Sequence, residues 1–309
     1  MSEINFDGAV AIVTGGGRGI GKGHCLELAR RGARVVVNDV SPADADAVVA
    51  EIEEAGGTAV SSYDSVGIVG GARGIAAKAI SAFGTIDALV NNAGIMRNGM
   101  IEDVTDEELG EVLDVNLRGS YLVTQACWPT MKEKGFGRIV MTSSAGGLFA
   151  MQGEANYAAS KGGVYGLCRA LSVEGKPHGI LVNTLLPMAT TSLTASDPVP
   201  GHAERYPAWA GEVLKPKRTV EAVSPFVALM LSRGWALTGE AFSVGFGRYA
   251  RVFVGETAGW IGDEPVAVTA EELAEHLDEI RSLDDFAAPA DIYEEIEFIA
   301  RNFGVERPA

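Results

Sequence analysis

The chain predicts an α/β fold, a doubly wound sheet of seven parallel strands with helices on both faces, followed by a C-terminal extension. Three observations predict it. Short apolar runs at 9–14, 34–38, 58–62, 86–90, 138–142, 180–185 and 240–244 alternate with stretches of helical periodicity, the pattern of strands buried on both faces by crossover helices. A glycine-rich turn, Gly15 to Gly21, separates the first apolar run from the first helical stretch. The 309 residues, 47% of them hydrophobic, can bury a full core in one large domain or in one domain with an appendage.

The first run, Ala9 to Thr14, reads as a buried strand, and helical spacing resumes after the glycines through Cys25, Leu26, Leu28 and Ala29. Strand, glycine turn and helix in that order make an anion site. Glycine lets backbone N–H groups close on a pyrophosphate at the positive end of the helix, so Gly15, Arg18, Gly19 and Ile20 are candidate cofactor contacts. The second run ends in Asp39, where a carboxylate would accept bonds from both hydroxyls of an adenosine ribose and repel a 2′-phosphate. That favours NAD over NADP. Arg18 pulls the other way, since a guanidinium pairs with phosphate; Asp39 is expected to win, because its repulsion is close and its desolvation uncompensated.

Thr105 and Glu108 have the spacing of a capping box, predicting a long helix that carries Asn116 and ends near Pro129. An amide in mid-helix is neutral at best, so Asn116 should have a reason to be there. Further on stand Ser144, Tyr157 and Lys161. Residues four apart on a helix share a face, and a fixed ammonium beside a phenol moves its pKa from ~10 toward the working range. Tyr157 is thereby a candidate general base, Ser144 a partner for the same substrate oxygen, and the set outlines a site for alcohol and carbonyl redox chemistry.

Residues 192–217 hold several prolines and little periodicity, as expected of a loop over the carboxyl ends of the strands, and form the expected substrate lid. A first domain, 1–247, includes this lid. The remainder, 248–309, is an extension with a strand at Tyr249–Val254, a helix capped by Thr269 and Glu272, and a second helix over Ala290–Ala300 with Ile292, Ile296 and Ile299 on one face. It packs on its own subunit or on a partner.

The net charge is −16, and 14 acids against 3 bases in residues 263–309 account for most of it. Such a balance argues against a nucleic-acid partner and for solvated helix faces in the tail. No apolar run reaches the roughly 18 residues that cross a bilayer, and Met1 to Asp7 lacks a signal pattern, so a cytoplasmic protein is expected. Cys25, Cys127 and Cys168 are odd in number and sit in helical segments, as buried free thiols do; with four scattered histidines, no metal site is expected.

Taken together, residues from about 5 to 247 resemble the short-chain dehydrogenase/reductase family. Thr14, Gly15, Gly19 and Gly21 look like its cofactor loop, Asn91-Asn92-Ala93-Gly94 like its central-strand motif, and Asn116 with Ser144, Tyr157 and Lys161 like its catalytic tetrad. The resemblance implies a Rossmann-type sheet and adenine contacts from Asp64 and Ser65. It further implies cofactor contacts from Asn91, Ala93, Gly94, Tyr157 and Lys161. The nicotinamide carboxamide would be held after Pro187 by Thr191, with Thr190 as the alternative, although Met188 replaces the usual glycine. It implies, too, that Asn116 loosens its helix and supports a water leading to Lys161. The stretches Val36–Asp39, Tyr63–Val66, Met141–Ser144 and Gln152–Tyr157 look most like the (3R)-hydroxyacyl-CoA dehydrogenase unit of multifunctional β-oxidation enzymes and its 17β-hydroxysteroid dehydrogenase-like relatives.

The expected substrate is a (3R)-hydroxyacyl-CoA with a fatty or steroid-derived chain. Anionic CoA would need a local basic site, from Lys215, Lys217 and Arg218 or from Arg248 and Arg251. The rivals are a hydroxysteroid or other secondary-alcohol dehydrogenase and a catalytically silent NAD-binding module. A complete Ser144, Tyr157 and Lys161 set counts against the last. Family members assemble as dimers or tetramers through helices matching those that begin near 106 and 155, so a homodimer or homotetramer is implied.

Overall fold

The computed structural model describes residues 4–189, 214–217, 219–262 and 268–305. These fall into two compact units, Met1–Arg251 and Val252–Ala309. In the first, strands and helices alternate: β1 (Val10–Thr14), α1 (Gly19–Arg30), β2 (Arg34–Asn38), α2 (Pro42–Glu54), β3 (Thr58–Ser62), α3 (Val69–Phe83) and β4 (Ala88–Asn91). There follow α4 (Asp106–Leu113), a π-helical turn (Asp114–Arg118), α5 (Gly119–Lys134), β5 (Gly137–Thr142), α6 (Ala145–Phe149), α7 (Ala155–Gly175), β6 (Ile180–Met188), α8 (Ser224–Leu231), β7 (Ala241–Gly245) and β8 (Arg248–Val252).

Side chains alternate across each strand, so the sheet divides the core in two. On β1, Ala11 and Val13 join the layer of Cys25, Leu28, Val48, Ile52 and Val227 on α1, α2 and α8. Val10 and Ile12 join the opposite layer of Ile75, Val123, Met131, Val164 and Cys168 on α3, α5 and α7. Each such Val, Leu, Ile or Met side chain, fully buried, contributes about 1.5–3 kcal/mol. The strand order is β3-β2-β1-β4-β5-β6-β7-β8, and β1 pairs in parallel with both β2 and β4. The winding therefore reverses between β1 and β4, and a crevice opens there at the carboxyl ends of the strands.

The sheet has eight strands where seven were expected. Phe246 and Gly247 both have positive φ, 58° and 75°, the signature of a two-residue hairpin turn that can only send the chain back antiparallel. The alternating run after Gly247 thus completes the main sheet instead of opening the extension. A second departure concerns the long helix. Its capping box forms as expected, with Glu108 N–H donating to Thr105 Oγ1 at 3.2 Å and Thr105 N–H to Glu108 Oε2 at 2.9 Å. The helix then widens into the π-turn and runs through Pro129 to Lys134. Burial of Met131 beyond the proline, together with the Lys134 ion pair to Asp87 at the start of β4, outweighs the lost backbone bond.

Among its described residues, the second unit contains a two-stranded antiparallel ribbon, β9 (Glu256–Thr257) with β10 (Phe286–Ala287), and three helices, α9 (Ala270–Glu275), α10 (Leu277–Ile280) and α11 (Ile292–Asn302). Thr269 caps α9 as expected, and the Asp291 carboxylate caps α11 by accepting from Tyr293 and Glu294 N–H at 3.0 Å. Phe298 anchors α11, while Ile292, Ile296 and Ile299 stay exposed.

Candidate active site

Helix α1 begins one residue after Arg18, with no acid in its first turn, so its positive end faces the crevice uncompensated. The glycines ahead of it are needed for two reasons. Gly15 has φ +62°, and a Cβ on Gly21 would lie 2.0 Å from the Gly15 carbonyl oxygen. The loop is held from β4. Asn92 Nδ2 donates to the Thr14 and Gly15 carbonyls at 3.0 and 3.1 Å, and Thr14 Oγ1 accepts from Asn92 and Ala93 N–H at 3.0 and 3.1 Å.

The crevice is a cavity of about 440 Å³, within the usual range for small-molecule sites. Gly15, Arg18, Gly19, Ile20, Asp39, Asp64, Ser65, Ala93 and Gly94 all line it. Asp39 is nearly buried; its Oδ2 accepts from Gly17 N–H at 3.1 Å and its Oδ1 from Ser41 N–H at 3.0 Å. Arg18 is exposed and leans toward Asp44, Nε to Oδ2 3.9 Å. Asn38 fixes the far wall by donating to the Asp64 carbonyl at 2.9 Å. Asn91 departs from expectation: its amide turns into the core, donating to Thr124 Oγ1 at 2.8 Å and toward Met141 Sδ at 3.3 Å. Thr190, Thr191, Arg218 and residues 192–213 of the expected lid lie outside the described residues.

The second group is built by α6 packing on α7. A Cβ on Gly147 would lie 2.7 Å from Lys161 Cβ, so the two helices meet only because glycine is there. Ser144 caps α6, accepting from Gly146 N–H at 3.1 Å. Tyr157 and Lys161 share the buried face of α7, 8% and 4% exposed, with Lys161 Nζ 5.8 Å from the phenol ring centre. Lys161 Nζ donates to the Thr142 carbonyl at 2.8 Å, and a Cβ on Gly94 would lie 3.4 Å from it. The ammonium thus reaches the floor of the glycine-loop cavity and joins the two groups. A bare floor at Gly94 and the unopposed N–H groups of α1 fit a dinucleotide.

Asn116 sits in the π-turn, fully buried. Its Oδ1 accepts from Ile95 N–H at 2.8 Å, and its Nδ2 donates to the Ile95 carbonyl and to Ser160 Oγ at 3.0 Å each. The Asn116 carbonyl accepts from Ser120 Oγ at 2.7 Å. The amide therefore clamps the loop after β4 to α7, and this is its reason for standing in mid-helix.

Electrostatics correct one expectation. Burial pushes the Tyr157 phenol up to about 12, with the Ser144 hydroxyl pulling the other way and Glu154 adding to the rise. Burial also brings Lys161 down to about 8. In the free protein desolvation therefore outweighs the ammonium, which is bound to the Thr142 carbonyl rather than turned on the phenol. Three residues that the spacing did not single out matter here. Asn92 and Asn38 hold the cavity walls, and Glu154, ahead of α7, is 5% exposed beside Tyr157. Of the basic residues considered for CoA, Arg251 is ion-paired with Glu240.

The chain is 38% identical over 305 residues to peroxisomal multifunctional enzyme A of Dictyostelium discoideum, covering 96% of this chain and 65% of that protein. It is 38% identical over 235 residues to hydroxyacyl-CoA dehydrogenase ChsB1 of Mycobacterium tuberculosis, covering 72% and 73% respectively. The solved structure of full-length peroxisomal multifunctional enzyme type 2 from Drosophila melanogaster superposes with a TM-score of 0.77 at 30% identity, over 96% of this chain and 50% of that one. The kinship expected with the multifunctional enzymes is thus borne out, although the chain spans only 31% to 65% of the length of the curated ones. With residues 9–198 matching the short chain dehydrogenase profile, the chain belongs to that family.

Proposed function

We propose that the unit Met1–Arg251 oxidises the secondary alcohol of a (3R)-hydroxyacyl-CoA to a ketone, with NAD as its cofactor and the segment 192–217 as substrate lid. The observation that carries this reading is Lys161, whose ammonium reaches Gly94 at the cavity floor while its own helix brings Tyr157 beside Ser144. Bound, the dinucleotide supplies the hydride acceptor. Ser144 holds the alcohol oxygen by its hydroxyl, Tyr157 takes the hydroxyl proton, and Lys161, on the helix that Asn116 braces through Ser160, would anchor the cofactor ribose and pass the proton on toward solvent.

Asp39 supports NAD over NADP. A 2′-phosphate beside it would meet a nearly buried carboxylate, with Asp44 close behind, and the Arg18 guanidinium is exposed and already turned toward Asp44. The names of the relatives support the CoA ester, and Lys217 and Arg248, both exposed, are the described basic residues available to it. Among the described residues no helix is long and apolar enough to cross a membrane, and the three cysteines are free and buried, as suits the cytoplasm. Exposed Tyr121 on α5 and Val173 on α7 support a homodimer or homotetramer through these helices.

The test is kcat/KM for a (3R)-hydroxyacyl-CoA, its free acid and a hydroxysteroid, each with NAD and with NADP. The CoA ester with NAD should exceed the others by tenfold or more. A free alcohol or steroid turned over as well as the ester moves the assignment to a general secondary-alcohol dehydrogenase. Tight NAD binding with no turnover of any alcohol leaves a silent binding module.

A further inference from the structure

We propose that Glu154 is a positioning residue of this reaction: its carboxylate, walled in beside Ser144 and Tyr157, holds the phenol in its protonated form and so selects the pH range in which Tyr157 takes up the substrate's proton. The proposal rests on the reading of Tyr157 as the base.

Glu154 immediately precedes α7 and is 5% exposed. Its backbone is fixed by a β-bridge to Gly99 and by the adjacent bond from Gly99 N–H to the Gly153 carbonyl, 2.9 Å. The side-chain end is fixed by crowding. A methyl group built on Gly146 would lie 2.7 Å from Glu154 Oε2, 3.6 Å from Ser144 Oγ and 3.9 Å from Tyr157 Cε1, so carboxylate, hydroxyl and phenol ring surround one point. Among the described residues no donor is bonded to the Glu154 carboxylate.

Of the charges on the neighbouring elements, Glu102, Asp103, Asp106 and Glu107 are exposed to solvent, and others are engaged elsewhere. On the loop after β4, Arg97 pairs with Glu111 of α4 at 2.8 Å. Glu108, also on α4, is held by Thr105. On α7, Lys161 Nζ is taken by the Thr142 carbonyl, and α6 contributes no ionisable side chain. Among the described residues, Glu154 is the one ionisable group whose charge acts on Tyr157. Burial raises the proton affinity of Glu154 itself, and its negative charge adds to that of the phenol.

The experiment is the pH profile of kcat/KM for alcohol oxidation in wild type, Glu154→Gln and Glu154→Asp, with KM and NAD affinity measured alongside. In Glu154→Gln the rising limb should move to lower pH by about half to one unit, with KM and NAD affinity within about twofold of wild type. Glu154→Asp, which keeps the charge, should restore the wild-type limb. Should Glu154→Gln not fold, Glu154→Ala carries the same measurement without burying an amide. An unmoved limb, a limb moved upward, or a loss of substrate affinity that Glu154→Asp does not rescue overturns the proposal. Should Tyr157→Phe retain turnover, the underlying reading of the base falls instead.

Discussion

At the nucleotide end of the crevice, between β1 and β4, the recognition surface is main chain and small side chains, with Asp39, Asp64 and Arg18 at its edge. Backbone N–H groups of the glycine loop are presented by α1 and held in place by Asn92 and Thr14. At the catalytic end, α6 and α7 bring together a phenol, an ammonium and a carboxyl that are each less than a tenth exposed. The contrast teaches where the pH dependence of this protein resides. Peptide dipoles do not titrate, whereas a group of buried ionisable side chains takes its working range from desolvation.

The sharpest way to break this comparison is Tyr157→Phe. It should lower kcat by about 10²- to 10⁴-fold while leaving NAD affinity nearly unchanged, which steady-state kinetics and calorimetric titration would separate. Equal losses in both would mean that the two ends are not independent. Asp39→Ala acts at the other end, and the preference for NAD over NADP should fall by roughly ten- to a hundredfold with kcat for the NAD reaction preserved. An unchanged cofactor ratio would remove Asp39 from the selection. Asn92→Ala cuts the two bonds that brace the glycine loop and should cost about 1–3 kcal/mol of stability with weakened NAD binding, read from chemical denaturation and titration.

The smallest effect lies in α1 itself. His24 is fully buried, bonded through Nδ1 to Ser224 Oγ at 2.9 Å, and burial lowers it from 6.5 to about 3. The unfolded chain therefore takes up a proton below pH 6.5 that the folded chain refuses, and stability falls as the pH drops from 6.5 toward 3. The slope from this residue is about 1.4 kcal/mol per pH unit. Melting temperatures of wild type and His24→Gln between neutral pH and about pH 5 should diverge accordingly, the variant being the flatter. Parallel curves would show that acid sensitivity enters elsewhere.

Much of the nucleotide end was legible in the sequence because its determinants are local. A glycine loop, the strand before it, the helix after it and an acid at the end of β2 occupy fixed offsets, and the loop, the first turn of the helix and the acid line the cavity. The proposed catalytic pair was legible for the same reason, as helical spacing put Tyr157 and Lys161 on one face. What the sequence could not state was the balance of forces between them. Spacing announces an ammonium near a phenol, but only the packing shows that Thr142 takes the ammonium and that burial governs the phenol. Asn92 was named only as a member of the Asn91–Gly94 motif, and its bracing role escaped notice because its partners, Thr14 and Gly15, are 78 and 77 residues away. The eighth strand was seen as a strand and given to the wrong unit, since alternation does not name a pairing partner.

The π-turn at Asp114–Arg118 amounts to one surplus residue spliced into a regular helix. Removing a single residue there would let α4 and α5 fuse into one continuous coil, rotating everything upstream by about 100° against everything downstream. The Asn116 amide would then swing off Ile95 and Ser160, while the capping box and the buried face of α5 competed for the register. Chain length across this segment is consequently under tighter constraint than side-chain identity at most of its positions, and the seating of α7, which carries Lys161, depends on a spacing within a different helix.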